Sequence, residues 1–261
     1  MIAAWRLIRV GLHLGCGLAT AAMVYPVVGH PAQLRLKQRW SRQLLGILGV
    51  RLHGDAALPP GPALLVANHV SWLDIFVINA VAPAVFVCKA DVRDWPLIGW
   101  LCARTETVFM SRGSRSAAKQ ASEIVARCLR QGRQVALFPE GTTSDGSGLL
   151  PFRTALMQGA IDADSRVQPL ALRYLDGNGQ TSSAPTYCGD TTLLQSLRRI
   201  AAAPSLKARL EVLPSLDSRG TGRRALASQA ATAIGQALGH PLRDAGAGLA
   251  TLSGAVSLAA T

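Results

Sequence analysis

The chain has 261 residues, room for one large domain with its own core, and 27 Lys and Arg against 15 Asp and Glu give a net charge of +12. With a mean hydropathy of +0.25, a chain both basic and apolar suits an anionic membrane surface. Nucleic-acid binders interleave cations with exposed aromatics in polar surroundings, and here only 5% of residues are aromatic.

The amino terminus carries Arg6 and Arg9 and then about twenty mostly apolar residues ending near Gly29. A cleaved signal peptide would explain the basic start, with Ala19-Thr20-Ala21 as a small-residue cleavage site. A spanning helix is weakened by His13 and the glycines, whereas a helix lying in the interface tolerates them. Next, HPAQLRLKQRWSRQLLGILGV alternates Arg35, Lys37, Arg39 and Arg42 with Leu34, Leu36, Trp40, Leu44 and Leu45. This is either a solvated basic face on an ordinary helix or a membrane-surface helix, and the apolar segment before it favours the second. Residues 1–45 are therefore read as a retained membrane anchor. The cations that follow the apolar stretch put the remainder on the cytoplasmic side of the inner membrane.

From about residue 60, ALLVAN, AVFVCK, ETVFM, RQVALF and VQPLALRY read as buried strands. A helix is predicted from Ser114 to Arg130, with Ala117, Ala121, Ile124, Val125, Cys128 and Leu129 on one face and Gly132 after its end. A second is predicted over Arg153 to Asp162. TLLQSLRRIAAA then reads as helix, ARLEVLPSL as strand and GRRALASQAATAIGQALG as a final helix. The fold class is α/β: a largely parallel central sheet flanked by helices, behind an N-terminal membrane-anchoring helical segment. The body covers 46–240, and 241–261, uncharged after Asp244, reads as a poorly ordered tail. Five cysteines, odd in number and without a C-x-x-C pair, argue against a disulfide framework or a zinc site. They read as small buried thiols in a reducing compartment.

Two stretches carry chemistry. In ANHVSWLDIF, His69 and Asp74 are five residues apart, which on one ideal helix is about 140° and not a shared face. The strand ALLVAN followed by a helix that Ser71 can cap supplies the bend, and His69 then sits at a strand's carboxyl end, where ligands bind in open α/β sheets. A carboxylate on one imidazole nitrogen leaves the other as a general base for a hydroxyl; a satisfied polar residue beside a helix start is the plainer alternative. In QVALFPEGTTSDG a strand runs into Pro139-Glu140-Gly141-Thr142. Turn chemistry accounts for every residue but Glu140.

Together these stretches resemble the glycerolipid acyltransferase family typified by 1-acylglycerol-3-phosphate acyltransferase. Its N-H-x-x-x-x-D block is similar to Asn68, His69 and Asp74, and its F-P-E-G-T block to Phe138, Pro139, Glu140, Gly141 and Thr142. VCKADVRDWPLIGW, TVFMSRGSR and VQPLAL resemble further family blocks, so that the likeness covers roughly residues 40 to 215. The resemblance implies an enzyme that moves a fatty acyl group from acyl-CoA or acyl carrier protein to the free hydroxyl of a lysolipid. The acceptor it implies is 1-acylglycerol-3-phosphate, with another lysolipid such as lyso-ornithine lipid as the alternative. His69 would be the base, Asp74 its orienting carboxylate and Glu140 a third catalytic residue that braces the site or contacts the acceptor. Lys89 would face the oxyanion, in competition with backbone amides near Gly141, and Arg112 would bind an anionic head group. Asn68, Phe138, Pro139, Gly141 and Thr142 would complete the substrate site. No metal and no cofactor besides the acyl thioester is implied, and no nucleic-acid partner. Many phosphatidate-forming members carry Arg where Thr143 stands here. The EGTTSDG string looks more like members that acylate other lysolipids. The rival classes are a lipid or thioester hydrolase, for which GSG at 146–148 lacks the strand of a nucleophile elbow, and a non-catalytic lipid-binding protein.

Overall fold

The structure is a computed structural model, described over residues 2–54, 57–110 and 115–240. Apolar runs become seven strands: β1 (Val50–His53), β2 (Ala63–Ala67), β3 (Val85–Lys89), β4 (Val108–Met110), β5 (Gln134–Leu137), β6 (Val167–Leu175) and β7 (Leu206–Val212). They form one sheet in the order β1-β7-β6-β2-β5-β3-β4. β6, β2, β5, β3 and β4 run parallel, whereas β7 pairs antiparallel with β6 and parallel with β1. The edge pair thus starts at the end of the sheet where the other five strands finish.

Helices cover both faces. On one side, α2 (His30–Leu48), α3 (Leu73–Val81) and α7 (Leu193–Ala202) bury Leu44, Leu45, Leu48, Leu73, Val77 and Ile200 against Leu65, Leu170 and Leu172. On the other, α5 (Arg115–Arg130), α6 (Gln158–Asp162) and α8 (Arg223–Leu238) bury Val125, Leu129, Ala160, Leu226 and Ile234 against Leu64, Val66, Val135 and Val167. Leu64, Leu65 and Val66 point alternately to the two layers, all wholly buried. This explains why a central strand reads as a continuous apolar run, each such side chain contributing roughly 2 kcal/mol.

α1 (Ile2–Ala19) continues through a π turn and a 3-10 turn to Val27, giving 26 residues that include an 18-residue window of mean hydropathy 1.6, long and apolar enough to cross a membrane. It is clamped to the body along one face. Arg6 Nη1 donates to the carbonyls of Ala201 and Ala203 at the end of α7, at 3.0 and 2.9 Å. His13 stacks on Trp40 at 4.6 Å between ring centroids, and Trp40 Nε1 donates to His13 O. A Cβ at Gly17 would lie 2.6 Å from Trp40 Nε1, so the residues that weaken a spanning helix are those that let α1 and α2 meet. Away from that face Trp5, Ile8, Leu12 and Met23 are exposed, as are Ile2 and Val27 at the two ends.

Several expectations are corrected. α2 runs on past residue 45 and packs one side into the core, while Arg35, Arg39 and Arg42 stay exposed on the other. Lys37 Nζ donates to Ala84 O and Thr105 O, while Arg42 Nε donates to Ala80 O at 2.6 Å near the end of α3. Burial lowers Lys37 to about 8. Two of its four cations are thus held by carbonyls. All five cysteines are free, but only Cys128 is buried; Cys16 is exposed on α1. The strand predicted from Glu106 begins at Val108, because Glu106 takes a left-handed φ of 66° and bonds His30 and Arg133. The helix predicted from Arg153 starts only with a 3-10 turn at Ala155. Arg153 N–H donates to Pro139 O at 2.8 Å, which holds the preceding segment against the loop after β5. β1 and the short helix α4 (Ile98–Arg104) were not foreseen. Ser114, Arg112 and the tail 241–261 lie outside the described residues.

Candidate active site

β2 and β5 are neighbours, and both signature stretches leave the sheet at the same edge. Asn68 makes the exit from β2 orderly. Its side-chain amide donates to Leu172 O at 2.9 Å and its Oδ1 accepts from Leu172 N at 2.8 Å. The buried amide thereby stands in for a main-chain pair while the backbone turns away. His69 follows, half-buried, with its main chain held twice: its N–H donates to Glu140 Oε1 at 2.7 Å, and its carbonyl accepts from Ser144 N at 2.8 Å.

The His69 ring stacks on Phe138, 3.9 Å between centroids and 7° from parallel, and Phe138 packs in turn on Phe86. Its Nδ1 lies 2.9 Å from Asp74 Oδ2. Asp74 sits in the first turn of α3 and is fully buried. Its Oδ2 also accepts from Val70 N and Ser71 N at 2.8 and 3.0 Å, and its Oδ1 from Tyr174 OH at 2.7 Å. Asp74 therefore closes the bend with its own carboxylate, while Ser71 Oγ only accepts from Leu73 N at 3.3 Å. Since a carboxylate is an acceptor only, Nδ1 carries the proton and Nε2 keeps its lone pair. Nε2 makes no hydrogen bond among the described residues.

Tyr174 was not foreseen as a site residue. The available signal was a tyrosine at the end of a buried strand, whose hydroxyl needs a partner. Burial, and then the neighbouring Asp74 charge, hold this phenol well above its usual range, so it remains a donor.

Glu140 is buried, and both its oxygens are occupied, by His69 N and by Leu150 N at 3.0 Å. It ties the two signatures together across 71 residues of sequence. Burial pushes its carboxyl up from 4.5 to about 7, against those two N–H groups, which pull it down. The folded state then keeps a proton that the unfolded chain loses near pH 4.5. This contribution to stability is full below pH 4.5 and is lost as the pH rises through about 7. At about 1.4 kcal/mol per pH unit, wild type should lose on the order of 3 kcal/mol relative to Glu140→Gln over that window. Urea unfolding of both proteins at a series of pH values checks this, and a pH-independent difference would refute it.

The other predicted residues are placed as follows. Lys89 is exposed at the end of β3, beyond β5 on the same edge. Pro139 is buried, Thr142 is exposed, and Gly141 takes a φ of 71° that only glycine adopts readily. Gly141 N–H donates to Phe138 O at 3.0 Å, so that amide is engaged in the turn rather than offered to an oxyanion. Two cavities of about 400 and 570 Å³ lie beside the sheet, the second lined by His30, Glu106, Arg133 and Gln134, and neither includes His69. The His69 side chain keeps 17% of its surface exposed at this edge.

Comparison with known proteins places the chain in a family. A family model described as acyltransferase matches residues 49–173. The lyso-ornithine lipid O-acyltransferase of Pseudomonas aeruginosa is 37% identical over 89% of this chain and 89% of its own. The 1-acyl-sn-glycerol-3-phosphate acyltransferase of Neisseria meningitidis serogroup B is 39% identical over 66% of this chain and 67% of its own. The crystal structure of the LPA acyltransferase PlsC from Thermotoga maritima shares the fold, with a TM-score of 0.63 at 19% identity, covering 90% of this chain and 96% of that one. With the histidine–carboxylate pair and the braced Phe-Pro-Glu-Gly-Thr loop at one sheet edge, and with a relative 37% identical over nine-tenths of its length, the chain belongs to the acyltransferase family of enzymes.

Proposed function

We propose that the protein transfers a fatty acyl group from a thioester, acyl-CoA or acyl carrier protein, to the free hydroxyl of a lysolipid at the cytoplasmic face of the inner membrane. The observation that carries this reading is His69 Nε2, left as a base at the carboxyl end of β2 because Nδ1 is held by a buried carboxylate. Nε2 takes the proton of the acceptor hydroxyl as its oxygen attacks the thioester carbonyl. When the tetrahedral adduct collapses, the C–S bond breaks and the thiolate takes the proton back from the imidazolium. No acyl-enzyme is required, since an alcohol held beside its base is already a good nucleophile. Asp74 stabilises the imidazolium. Lys89 faces the oxyanion, and Arg112 and Thr142 meet substrate. Asn68, Phe138, Pro139, Glu140 and Gly141 serve by holding the edge in shape.

Both acceptors have support: relatives named for 1-acyl-sn-glycerol-3-phosphate and for lyso-ornithine lipid match the chain. The broader coverage by the latter, and Thr143 in place of a cation, favour lyso-ornithine lipid. Membrane contact is assigned to α1. Clamped to the body along its length, it presents an apolar outer face suited to lying in the interface.

The test is direct. Purified protein in detergent, given acyl thioester and each lysolipid in turn, should form the diacyl product, and should float with vesicles of anionic lipid. Thioester hydrolysis with no diacyl product for any acceptor would overturn the reading in favour of a hydrolase.

A further inference from the structure

We infer that Arg153 binds the anionic group of the acceptor head, a carboxylate or a phosphate monoester; this rests on the acyl-transfer reading above. From Phe138 to Phe152 the loop after β5 contains Glu140 and Asp145 but no Lys or Arg. Thr143 is itself engaged, its hydroxyl donating to Tyr187 O, while Tyr187 N–H donates to Val70 O at 3.0 Å. That loop and the segment before α7 are thereby tied to the His69 turn without providing a cation.

Arg153 is the first cation after it in sequence, and the fold returns it to the loop's beginning. Its N–H is bonded to Pro139 O at 2.8 Å. Its side chain lies across Gly141: a Cβ there would meet Arg153 Nε at 2.7 Å, Cδ at 3.1 Å and Cζ at 3.2 Å. The guanidinium thus fills the space that a side chain at Gly141 would take. The residue beside Gly141, Glu140, bonds the main chain of His69.

Arg153 is exposed, and among the described residues no carboxylate lies within ion-pair distance of it. Glu140, beside it in the loop, already has both oxygens occupied by N–H donors. An arginine placed next to a catalytic edge without an acidic partner presents a fork of donors matched to a carboxylate or a phosphate. Lyso-ornithine lipid brings the first and lysophosphatidate the second.

The experiment is steady-state kinetics of the full chain in detergent with lysophosphatidate, lyso-ornithine lipid and the methyl ester of lyso-ornithine lipid. Arg153→Ala should raise the acceptor KM about tenfold or more, the size expected of one charge-assisted contact, with the thioester KM unchanged. Arg153→Lys should recover part of the loss. Wild type should lose about as much on esterification of the carboxylate as it loses by mutation, and Arg153→Ala should not distinguish acid from ester. A variant that separates acid from ester as wild type does, with neither acceptor KM moved, overturns the inference. Loss with only one of the two acids identifies which anion the site takes. Should Arg153→Ala fail to fold, Arg153→Gln, which keeps most of the stem over Gly141, answers the same question. Wild type inactive with every acceptor would instead overturn the acyl-transfer reading.

Discussion

His69→Ala should lower kcat/KM for acyl transfer by roughly 10,000-fold, the upper range for loss of a positioned general base. The fold should survive it. What the main chain of His69 contributes, the bonds to Glu140 and from Ser144, is unaffected by truncating the ring. Asp74 Oδ2 keeps the N–H groups of Val70 and Ser71, so no buried charge is orphaned. The stability cost is then confined to the stack on Phe138 and one hydrogen bond, on the order of 1–2 kcal/mol. Kinetics with acyl thioester and lysolipid, beside a thermal unfolding curve of the same sample, separate the two effects. Near-normal transfer by a folded His69→Ala protein would sink the mechanism.

Asp74→Asn should cost about a thousandfold in kcat, by a different route. Of the two amide orientations, the oxygen must stay where Oδ2 accepts three donors, because an NH2 there would face the N–H groups of Val70 and Ser71. The NH2 then meets Tyr174, whose hydroxyl can turn to accept. The bend and the imidazole tautomer are kept; the charge that stabilises the imidazolium is lost. Loss in kcat with little change in KM or in the unfolding midpoint is the expected signature, and a fully active variant would show that the carboxylate is only structural. Tyr174→Phe, which removes one donor from Oδ1, should lower kcat by only about tenfold or less.

The strand runs, the His69–Asp74 contact and the loop after β5 were legible because each imposes a local constraint: burial on both faces for β2, β5 and β6, and a bend between His69 and Asp74. β1 was not, since it is an edge strand of four residues of which only Val50 is buried, leaving no periodicity to read. Nor was the antiparallel return of β7, whose direction is set by pairing with β6 rather than by its own composition. The cations of α2 misled for a related reason. A lysine that serves the carbonyls of Ala84 and Thr105 has the same spacing in sequence as one that faces lipid phosphates. The roles of Tyr174 and Arg153 depend on contacts made 100 residues away, and across a loop that folds back on itself.

The amide of Asn68 that replaces a main-chain pair on Leu172 bears on how the enzyme fails when heated. Because the His69 turn is stitched to the ladder at the very residue where the chain departs, it has no hinge of its own. Nothing lets the histidine drift while the sheet endures. Such a centre shares the cooperative unit of the sheet, in contrast to active-site lids, which open far below the global transition. Catalysis and the far-ultraviolet signal of the strands should therefore disappear along one melting curve, with no intermediate that is folded yet inert.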